Sequence, residues 1–348
     1  MNFLSKSNLK FTTWLTIIFY GALVGYVYVM LVYTPMGNNV SPWLGVSIGI
    51  GIATVTSGFE LFFVSNPNSL FRKLAFIPLL LVRVFVHAVL ILSTIILCQL
   101  VYDEIYGTSI VDFDNGLSGY TTDLGFSLFV AALVLFYMQM RLFIGGRTLK
   151  NIILGKYNSP KSENRIFMFV DVIGSTAAAQ EIGDINFHKY LNRLFTLFDE
   201  PIVRLGGEVH SYVGDAIIVT WPLSSNPVKN ARALLTAREI VELCRENAAL
   251  ISKQFGVKPE VRLAINGGPI VAGETGFSKR QITYLGDTIN ITSRIESLSK
   301  ELGKDYLIST SLLDSMTMPP NIQAHPLGEF PMKGVRHKMA ISNLEFSL

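Results

Sequence analysis

The sequence predicts an α-helical membrane bundle of four transmembrane helices, followed by an α+β domain with helices on one face of a mainly antiparallel sheet. The first observation is composition: of 348 residues, 50% are hydrophobic and only 16% are charged. The second is distribution, because no charged side chain occurs from Phe11 to Phe59, whereas residues 141–348 alternate charged and apolar positions as soluble domains do. We therefore expect three regions: a membrane domain (1–144), a linker helix (145–164) and a globular domain (165–348).

Four apolar segments are long enough to cross a bilayer, which takes about 20 residues. They are residues 11–33, 43–64, 74–101 and 124–144. Basic residues lie before the first segment, between the second and third, and at or beyond the end of the fourth: Lys6, Lys10, Arg72, Lys73, Arg141, Arg147, Lys150 and Lys156. The other two loops are uncharged or acidic. Since positive charge favours the cytoplasmic side, we expect a multi-pass protein of the inner (plasma) membrane, in contact with lipid, with its globular domain in the cytoplasm.

Glu60, Arg83 and His87 are side chains that can carry a charge within the second and third apolar segments. Glu60 lies in the second, and Arg83 and His87 lie four positions apart in the third. Charges inside a membrane are costly and invite a functional hypothesis. One interpretation is an ion pair between Glu60 and Arg83 that fixes helix packing, with His87 beside it. The other is a sensory site in the bundle, and the sequence leaves both open.

The linker and the overall charge exclude some functions. Gly145-Gly146 ends the fourth span, "RTLKNIIL" has apolar residues at helical spacing, and "YNSP" ends that helix. We interpret this helix as a transmitter rather than an inert tether, because tethers are more often rich in Gly and Ser.

A net charge of +3 argues against a dedicated nucleic-acid binder. Cys98 and Cys244 have no metal-ligand or disulfide spacing and are interpreted as packing residues.

The globular region shows a mixed order of strands and helices. Strands are predicted at 165–170, 281–284 and 305–310; hairpins at 206–221 and 323–346; a strand with a glycine turn at 260–275; and helices at 174–183, 186–205, 225–255 and 285–300.

Two acids stand at predicted strand ends. Asp171 ends the apolar run "FMFVD", and Asp215 lies in the turn of "SYVGDAIIV". Two carboxylates that share a site repel unless a cation lies between them, and Mg²⁺ prefers oxygen ligands while keeping phosphates in its shell. The backbone N–H groups of Ile173, Gly174, Ser175 and Thr176, at the start of a helix, would cradle those phosphates.

Three motifs together carry a family resemblance. "FVDVIGST", "YVGDAIIV" and "YLGDTINITSRIE", in this order, resemble the catalytic domain of class III adenylate/guanylate cyclases over about residues 165–345. The resemblance implies a ferredoxin-like α+β fold that dimerises head to tail, with active sites at the interface. It also implies two Mg²⁺ or Mn²⁺ ions per site, held by Asp171, Asp215 and the backbone carbonyl of Val172.

The resemblance assigns further roles. Asn290 orients the ribose, and Arg294, four positions later on the same helix face, stabilises charge on the α-phosphate. Because these residues and the metal-binding acids come from opposite subunits, a monomer is expected to be inactive. "PMKGVRHK" resembles the lysine-containing hairpin that reaches the β- and γ-phosphates, with Lys333 as the expected residue and Arg336 as the alternative.

The base-binding positions depart from the family pattern. Adenylate cyclases carry a lysine four positions before the second aspartate and an aspartate or threonine seven before the asparagine; here these are Ser211 and Thr283. The glutamate–cysteine combination that reads guanine is also absent. We therefore expect ATP as substrate and a homodimeric adenylate cyclase. The alternatives are a membrane sensor whose cyclase-like domain does not turn over, or different base selectivity. A diguanylate cyclase is disfavoured because its Gly-Gly-Asp/Glu-Glu-Phe turn is missing.

Overall fold

A computed structural model describes residues 6–33, 41–64, 76–106, 116–278, 280–332 and 337–347. The chain separates into two compact units, residues 1–143 and 144–348. Each is described by itself below.

The described residues of the first unit form four long helices. Helices α1 and α2 each continue into a wider π-helical turn, at Val29–Tyr33 and Phe59–Val64. The four helices are α1 (Lys6–Tyr28), α2 (Pro42–Gly58), α3 (Phe76–Tyr106) and α4 (Gly116–Ile144). They contain four segments long and apolar enough to span a membrane: Phe11–Val32, Pro42–Val64, Pro78–Ile105 and Thr122–Met140. The prediction of four long apolar N-terminal helices is confirmed.

Helices α1 and α2 pack at backbone contact distance. A Cβ placed on Gly25 would lie 1.9 Å from the carbonyl oxygen of Gly45, and one placed on Gly49 would lie 2.2 Å from that of Gly21. Only glycine fits at these positions, because any side chain would push the two backbones apart. Close approach through small residues is a common way for apolar helices to associate in lipid.

The charged residues of the first unit form a buried ion pair. Arg83 donates from Nε to Glu60 Oε1 at 2.9 Å and from Nη2 to Oε2 at 2.5 Å. His87 donates from Nδ1 to the Arg83 carbonyl at 2.8 Å, and its Nε2 lies 3.8 Å from Glu60 Oε1. Glu60 is 2% exposed, so its charge needs this compensation. The arrangement matches the packing interpretation and leaves a sensory role untested.

The second unit begins with the short helix α5 (Gly146–Ile153), within the predicted linker. Strands and helices then alternate irregularly. The strands are β1 (Lys161–Val172), β2 (Glu208–Val213), β3 (Ala216–Pro222), β4 (Val261–Thr275), β5 (Gln281–Leu285), β6 (Tyr306–Ser309), β7 (Ile322–Phe330) and β8 (Met339–Phe346). The helices are α6 (Ser175–Ile182), α7 (Asp184–Arg204), α8 (Pro227–Asn230), α9 (Arg232–Glu246), α10 (Ala248–Phe255), α11 (Asp287–Leu302) and α12 (Thr310–Leu313).

The eight strands form one mixed sheet. Its order is β2-β3-β1-β4-β6-β8-β7, with β5 paired to the second half of β4. The β4–β6 pair is parallel, and the other pairs are antiparallel. The predicted α+β fold with a mainly antiparallel sheet is confirmed.

Helices cover both faces of this sheet, so the prediction of helices on one face is wrong. Alternate β1 residues such as Ile166 and Met168 pack in a core with α7 and α9. The intervening Phe169 packs on the other face with Ala264 of β4 and Ile295 of α11. Successive β1 side chains point to opposite faces of the sheet. Because nearly all of those from Arg165 onward are buried, both faces of β1 are covered by other parts of the unit.

Two further predictions are corrected. The predicted helix at 225–255 is three helices in the structure, α8, α9 and α10. The backbone leaves helical geometry at Asn247, which separates α9 from α10. The side chain of the buried Asn230, at the end of α8, donates to the backbone carbonyls of Ser224 and Ser315. The predicted glycine turn in 260–275 is absent, and β4 runs straight through. A Cβ on Gly267 would lie 2.6 Å from Leu312 Cδ1, so this glycine permits close packing rather than a turn.

Candidate functional site

The two predicted acids lie on neighbouring strand ends. Asp171, next to last in β1, pairs in register with Ala216, the first residue of β3. Asp215 immediately precedes Ala216, in the tight turn where Gly214 adopts a φ of +60°. The charge of Asp215 contributes to raising the pKa of Asp171. The structure therefore brings together two carboxylates that lie far apart in the sequence, and we call them the acid pair.

The carboxylate of Asp171 is buried and surrounded by charge. It is 7% exposed, and burial raises its pKa above the ordinary value, against the opposing effect of the Lys300 ammonium. Lys300 Nζ lies 3.2 Å from Asp171 Oδ2, and Arg262 Nη1 lies 3.6 Å from the same oxygen. The negative charges of Asp215 and, more weakly, Glu296 repel that of Asp171 and also raise its pKa.

Sequence reasoning missed Lys300, Glu296 and Arg262. Two signals pointed to them: Glu296 and Lys300 stand at i, i+4 spacing on α11, and Arg262 is a charge inside an otherwise apolar strand. What neither signal reveals is that β4 places Arg262 directly opposite Asp171.

The turn after β1 keeps part of its predicted anion-binding character. Gly174 adopts a φ of +70° and α6 begins at Ser175, so the N–H groups of Ser175 and Thr176 lie in the first helical turn, where no intrahelical acceptor exists. Ile173 differs, because its N–H donates to the Glu260 carbonyl at 2.9 Å. The prediction that Ile173 takes part in a phosphate cradle is therefore corrected. Val172, the predicted carbonyl ligand, is the last residue of β1.

Asn290 and Arg294 lie on helix α11, on a different flank from Glu296 and Lys300. The helix buries Thr288, Thr292, Ile295 and Ser299. At 3.6 residues per turn, Asn290 and Arg294 lie roughly 120° around the helix from Glu296 and Lys300. It is Glu296 and Lys300 that act on Asp171. The two predicted catalytic side chains therefore project from the other flank of α11.

The two base-binding positions lie on strands that meet through aromatic rings. Ser211 lies in β2 beside a bulge, and Thr283 lies in β5. Their neighbours His210 and Tyr284 contact each other, with ring centroids 4.8 Å apart. The Thr283 hydroxyl lies 2.6 Å from that of Thr275. The structure therefore places β2 and β5 close together at these positions.

A buried polar cluster lies beneath the base-binding positions and was not predicted. Arg165 lies over the Tyr284 ring at 4.8 Å, and donates to Glu163 Oε2 at 3.1 Å. Tyr157, just after the linker helix, donates to Glu163 Oε1 at 3.1 Å, and Lys156 Nζ lies 2.6 Å from the same oxygen. Burial acts to raise the pKa of Glu163, but the hydrogen bonds from Lys156 and Arg165 outweigh it and hold the pKa below its ordinary value.

The remaining predictions concern phosphate and metal. Lys333 and its alternative Arg336 lie outside the described residues. Within the described ranges, no group of three or more His, Cys, Asp or Glu side chains could hold a metal ion. A cation at the acid pair would therefore need backbone or substrate oxygens to complete its shell.

Comparisons with known proteins identify the family of the second unit. Residues 157–345 match the family described as the adenylate and guanylate cyclase catalytic domain. "Adenylate cyclase 2" of Rhizobium meliloti (strain 1021) is 36% identical over 221 residues, which cover 64% of this chain and 61% of the relative. "Guanylate cyclase 2G" of Rattus norvegicus is 30% identical over 162 residues, covering 44% of this chain and 14% of the relative. The chain thus spans less than two thirds of either relative.

A solved structure shares the fold. A bacterial light-regulated adenylyl cyclase aligns with a TM-score of 0.53 at 16% identity, covering 62% of this chain and 63% of the other. At this identity the likeness concerns the fold alone. Together with the family match over more than half of the sequence, it confirms the resemblance that the three motifs predict. The chain belongs to the family of class III adenylate and guanylate cyclase catalytic domains.

Proposed function

We propose that this protein is a membrane-anchored adenylate cyclase that converts ATP into 3′,5′-cyclic AMP and pyrophosphate. The observation that carries the proposal is the meeting of Asp171 and Asp215 at adjacent strand ends. In this family such an acid pair belongs to the catalytic centre. The relatives named adenylate cyclase support the same reaction class.

The acid pair fits a divalent cation. Its donors are carboxylate oxygens, the ligand type that Mg²⁺ and Mn²⁺ prefer. Burial and, to a smaller extent, the charge of Asp215 raise the pKa of Asp171, which a nearby cation would oppose. We propose that Asp171, Asp215 and the Val172 carbonyl hold two such ions. When bound, the ions help deprotonate the ribose 3′-hydroxyl and neutralise the triphosphate and the departing pyrophosphate.

The chain's own residues would then orient the nucleotide. The 3′-oxygen attacks the α-phosphorus in line, and the bond to the β-phosphate oxygen breaks to release pyrophosphate. Arg294 would stabilise the charge that develops on the α-phosphate, because a guanidinium presents several fixed donors. Asn290 would hold the ribose. The N–H groups of Gly174, Ser175 and Thr176 would receive the polyphosphate, together with Lys333.

The geometry of α11 favours a homodimeric site. Asn290 and Arg294 project from a different flank of α11 than Glu296 and Lys300, which lie at the acid pair of the same chain, so we propose that a second copy supplies them. In a two-fold dimer each subunit gives its acids to one site and its Asn290 and Arg294 to the other. Two sites of composite origin would result.

Adenine is the base we propose. The Thr283 hydroxyl can accept from the exocyclic amino group of adenine, and Ser211 can donate to a ring nitrogen. No glutamate stands at position 211 to accept from guanine N1 and N2. Ser211 is also the residue that favours an alternative function, because it lacks the charge and the length of the lysine found at this position in adenylate cyclases. The alternatives are a sensor that binds nucleotide without turnover, or a cyclase of different base selectivity.

The location is proposed from the first unit. Four helices that can span a membrane, with basic residues at the ends predicted to be cytoplasmic, support the proposal that the second unit lies in the cytoplasm and that the protein belongs to the inner membrane. The linker helix α5 would transmit changes in the membrane helices.

A product assay tests the reaction. The full chain in lipid nanodiscs is incubated with Mn²⁺ and either ATP or GTP, and products are identified by mass spectrometry. Cyclic AMP from ATP, with little cyclic GMP from GTP, is the expected result. Predominant cyclic GMP would move the proposal to guanylate cyclase, and no cyclic product from either would favour the non-catalytic sensor.

Complementation tests the shared site. Asp171→Ala and Arg294→Ala are each expected to be inactive, but their mixture should recover about a quarter of wild-type activity, because half of randomly formed dimers carry one intact site of two. The matched control mixes Asp171→Ala with Asp215→Ala. Both changes damage the acid half of a site, so every dimer should stay inactive. An inactive first mixture, with both variants folded and dimeric, contradicts shared sites.

A further inference from the structure

Lys300 is the residue outside the predicted motifs that most directly contacts the acid pair. It lies near the end of α11, with Nζ 3.2 Å from Asp171 Oδ2 and 2.6 Å from Glu296 Oε1. We propose that Lys300 is a displaceable counter-cation of the acid pair: its ammonium competes with the divalent metal for Asp171, and Glu296 retains it beside the site when the metal is bound. This inference rests on the proposed function, because it deepens the role of the same acid pair.

The burial of Asp171 explains why a counter-cation is needed. A carboxylate that is 7% exposed cannot rely on water to stabilise its charge, and leaving it unpaired is strongly unfavourable. Two cations compensate it, Lys300 and Arg262. Without bound metal, side chains of the protein itself thus supply the positive charge beside Asp171.

Of the two cations, only Lys300 is placed to move. The Arg262 side chain is 14% exposed, is directly opposite Asp171 in the sheet, and also lies 3.6 Å from Asp305, so it is held from both sides. The Lys300 side chain is 53% exposed on a flexible stem. A divalent ion on Asp171 would repel an ammonium on the same oxygen, and the mobile group would yield.

Glu296 gives the displaced ammonium a place to stay. It stands one helical turn before Lys300, and its side chain is 15% exposed. A glutamate four residues before a lysine is the favourable orientation on a helix. Because Lys300 already contacts Glu296, it needs only to lose its contact with Asp171, which lowers the cost of metal entry.

The position of α11 makes this exchange relevant to both sites of a dimer. One flank of the helix carries Glu296 and Lys300 toward the acid pair of its own chain. The other flank, roughly 120° away, carries Asn290 and Arg294, which are proposed to serve the partner's acid pair. The same helix would thus touch the metal position of one site and the nucleotide of the other.

Metal binding to the full chain, without nucleotide, tests the inference. Mn²⁺ is titrated into the nanodisc protein at neutral pH, and free Mn²⁺ is followed by its electron paramagnetic resonance signal. Lys300→Gln is expected to bind Mn²⁺ about fivefold more tightly, since it removes a partly solvated ion pair that competes for Asp171. Glu296→Gln is expected to bind about two- to threefold more weakly, because Lys300 then has Asp171 as its main partner.

Two comparisons separate this mechanism from a general charge effect. Lys304→Gln removes the same charge at an exposed position just beyond the end of α11, and is expected to bind as the wild type does. The double variant Lys300→Gln/Glu296→Gln is expected to behave like Lys300→Gln, because Glu296 acts through Lys300. Circular dichroism verifies that each variant is folded.

The measurements distinguish a failure of this inference from a failure of the proposed function. If Asp171→Asn abolishes Mn²⁺ binding but Lys300→Gln binds with wild-type or weaker affinity, the counter-cation is refuted and the proposed metal site stands. If Asp171→Asn binds Mn²⁺ as the wild type does, the acid pair is not the metal site and the proposed function fails with it. Equal tightening by Lys304→Gln and Lys300→Gln would also refute the inference.

Discussion

Replacing Arg165 by methionine is expected to destabilise the second unit substantially while preserving the shape of the side chain. The Arg165 side chain is 4% exposed. Its Nε donates to Thr220 Oγ1 at 3.0 Å, its Nη1 donates to Glu163 Oε2 at 3.1 Å, and its guanidinium lies over the Tyr284 ring. Its Nη2 also lies 3.7 Å from Glu208 Oε1. Methionine retains an apolar stem but removes all four interactions.

These contacts set the magnitude. A hydrogen bond to a charged group contributes roughly 1.5–3 kcal/mol, and a partly desolvated cation–π contact about 1 kcal/mol. Breaking a buried ion pair costs about 3–5 kcal/mol when the remaining charge is uncompensated. Here Lys156 Nζ still lies 2.6 Å from Glu163 Oε1, so Glu163 keeps a cation. We therefore expect Arg165→Met to lower the free energy of unfolding by about 3 kcal/mol.

Tryptophan fluorescence provides the assay. The chain has three tryptophans. Trp221 lies in β3 and is 3% exposed. Replacing Trp14 and Trp43 by phenylalanine leaves Trp221 as the reporter for the second unit. Urea unfolding of the full chain in detergent micelles then gives the unfolding midpoint and free energy.

A second arginine–glutamate pair is the matched control. Arg280 Nη1 lies 3.3 Å from Glu274 Oε1, but its side chain is 66% exposed. Arg280→Met is expected to change the free energy of unfolding by less than about 1 kcal/mol, as exposed ion pairs do. Equal effects of Arg280→Met and Arg165→Met would refute the reasoning, since Arg165 is buried among several partners whereas the Arg280 side chain is largely exposed.

Two further predictions concern other parts of the chain. Gly25→Ala should weaken α1–α2 packing by about 1–3 kcal/mol, because the added Cβ would lie 1.9 Å from the Gly45 carbonyl oxygen. Thermal unfolding of the full chain in detergent measures this loss. The control Gly125→Ala has open space around its Cβ and should change nothing. Burial lowers the pKa of His210, so its stabilising contribution is present above about pH 6.5 and is lost as pH falls through the folded-state pKa. Wild-type unfolding free energy should therefore fall more steeply between about pH 7 and 5 than that of His210→Gln, with exposed His188→Gln as control; parallel profiles would contradict the argument.

Local pattern was enough to predict most elements. The alternation and turn residues of β2 and β3 place Asp215 between two strands, and the strand before it places Asp171 at a strand end. Local sequence pattern gave the wrong prediction where contacts with residues distant in the sequence decide the conformation of the backbone. Gly267 resembles a turn residue in sequence, yet it lies in straight strand because Leu312 packs against it.

The amino-acid sequence by itself determined the four apolar helices, the order of strands and helices, and the family, because hydrophobic periodicity and short motifs are local properties of the chain. Only the tertiary structure decided that helices cover both sheet faces, that Ile173 gives its N–H to Glu260, and that Lys300 and Arg262 neutralise Asp171. The physical reason is that each of these depends on which distant segment lies against a given surface. Sheet register and helix docking fix that choice, and both are properties of the whole folded unit.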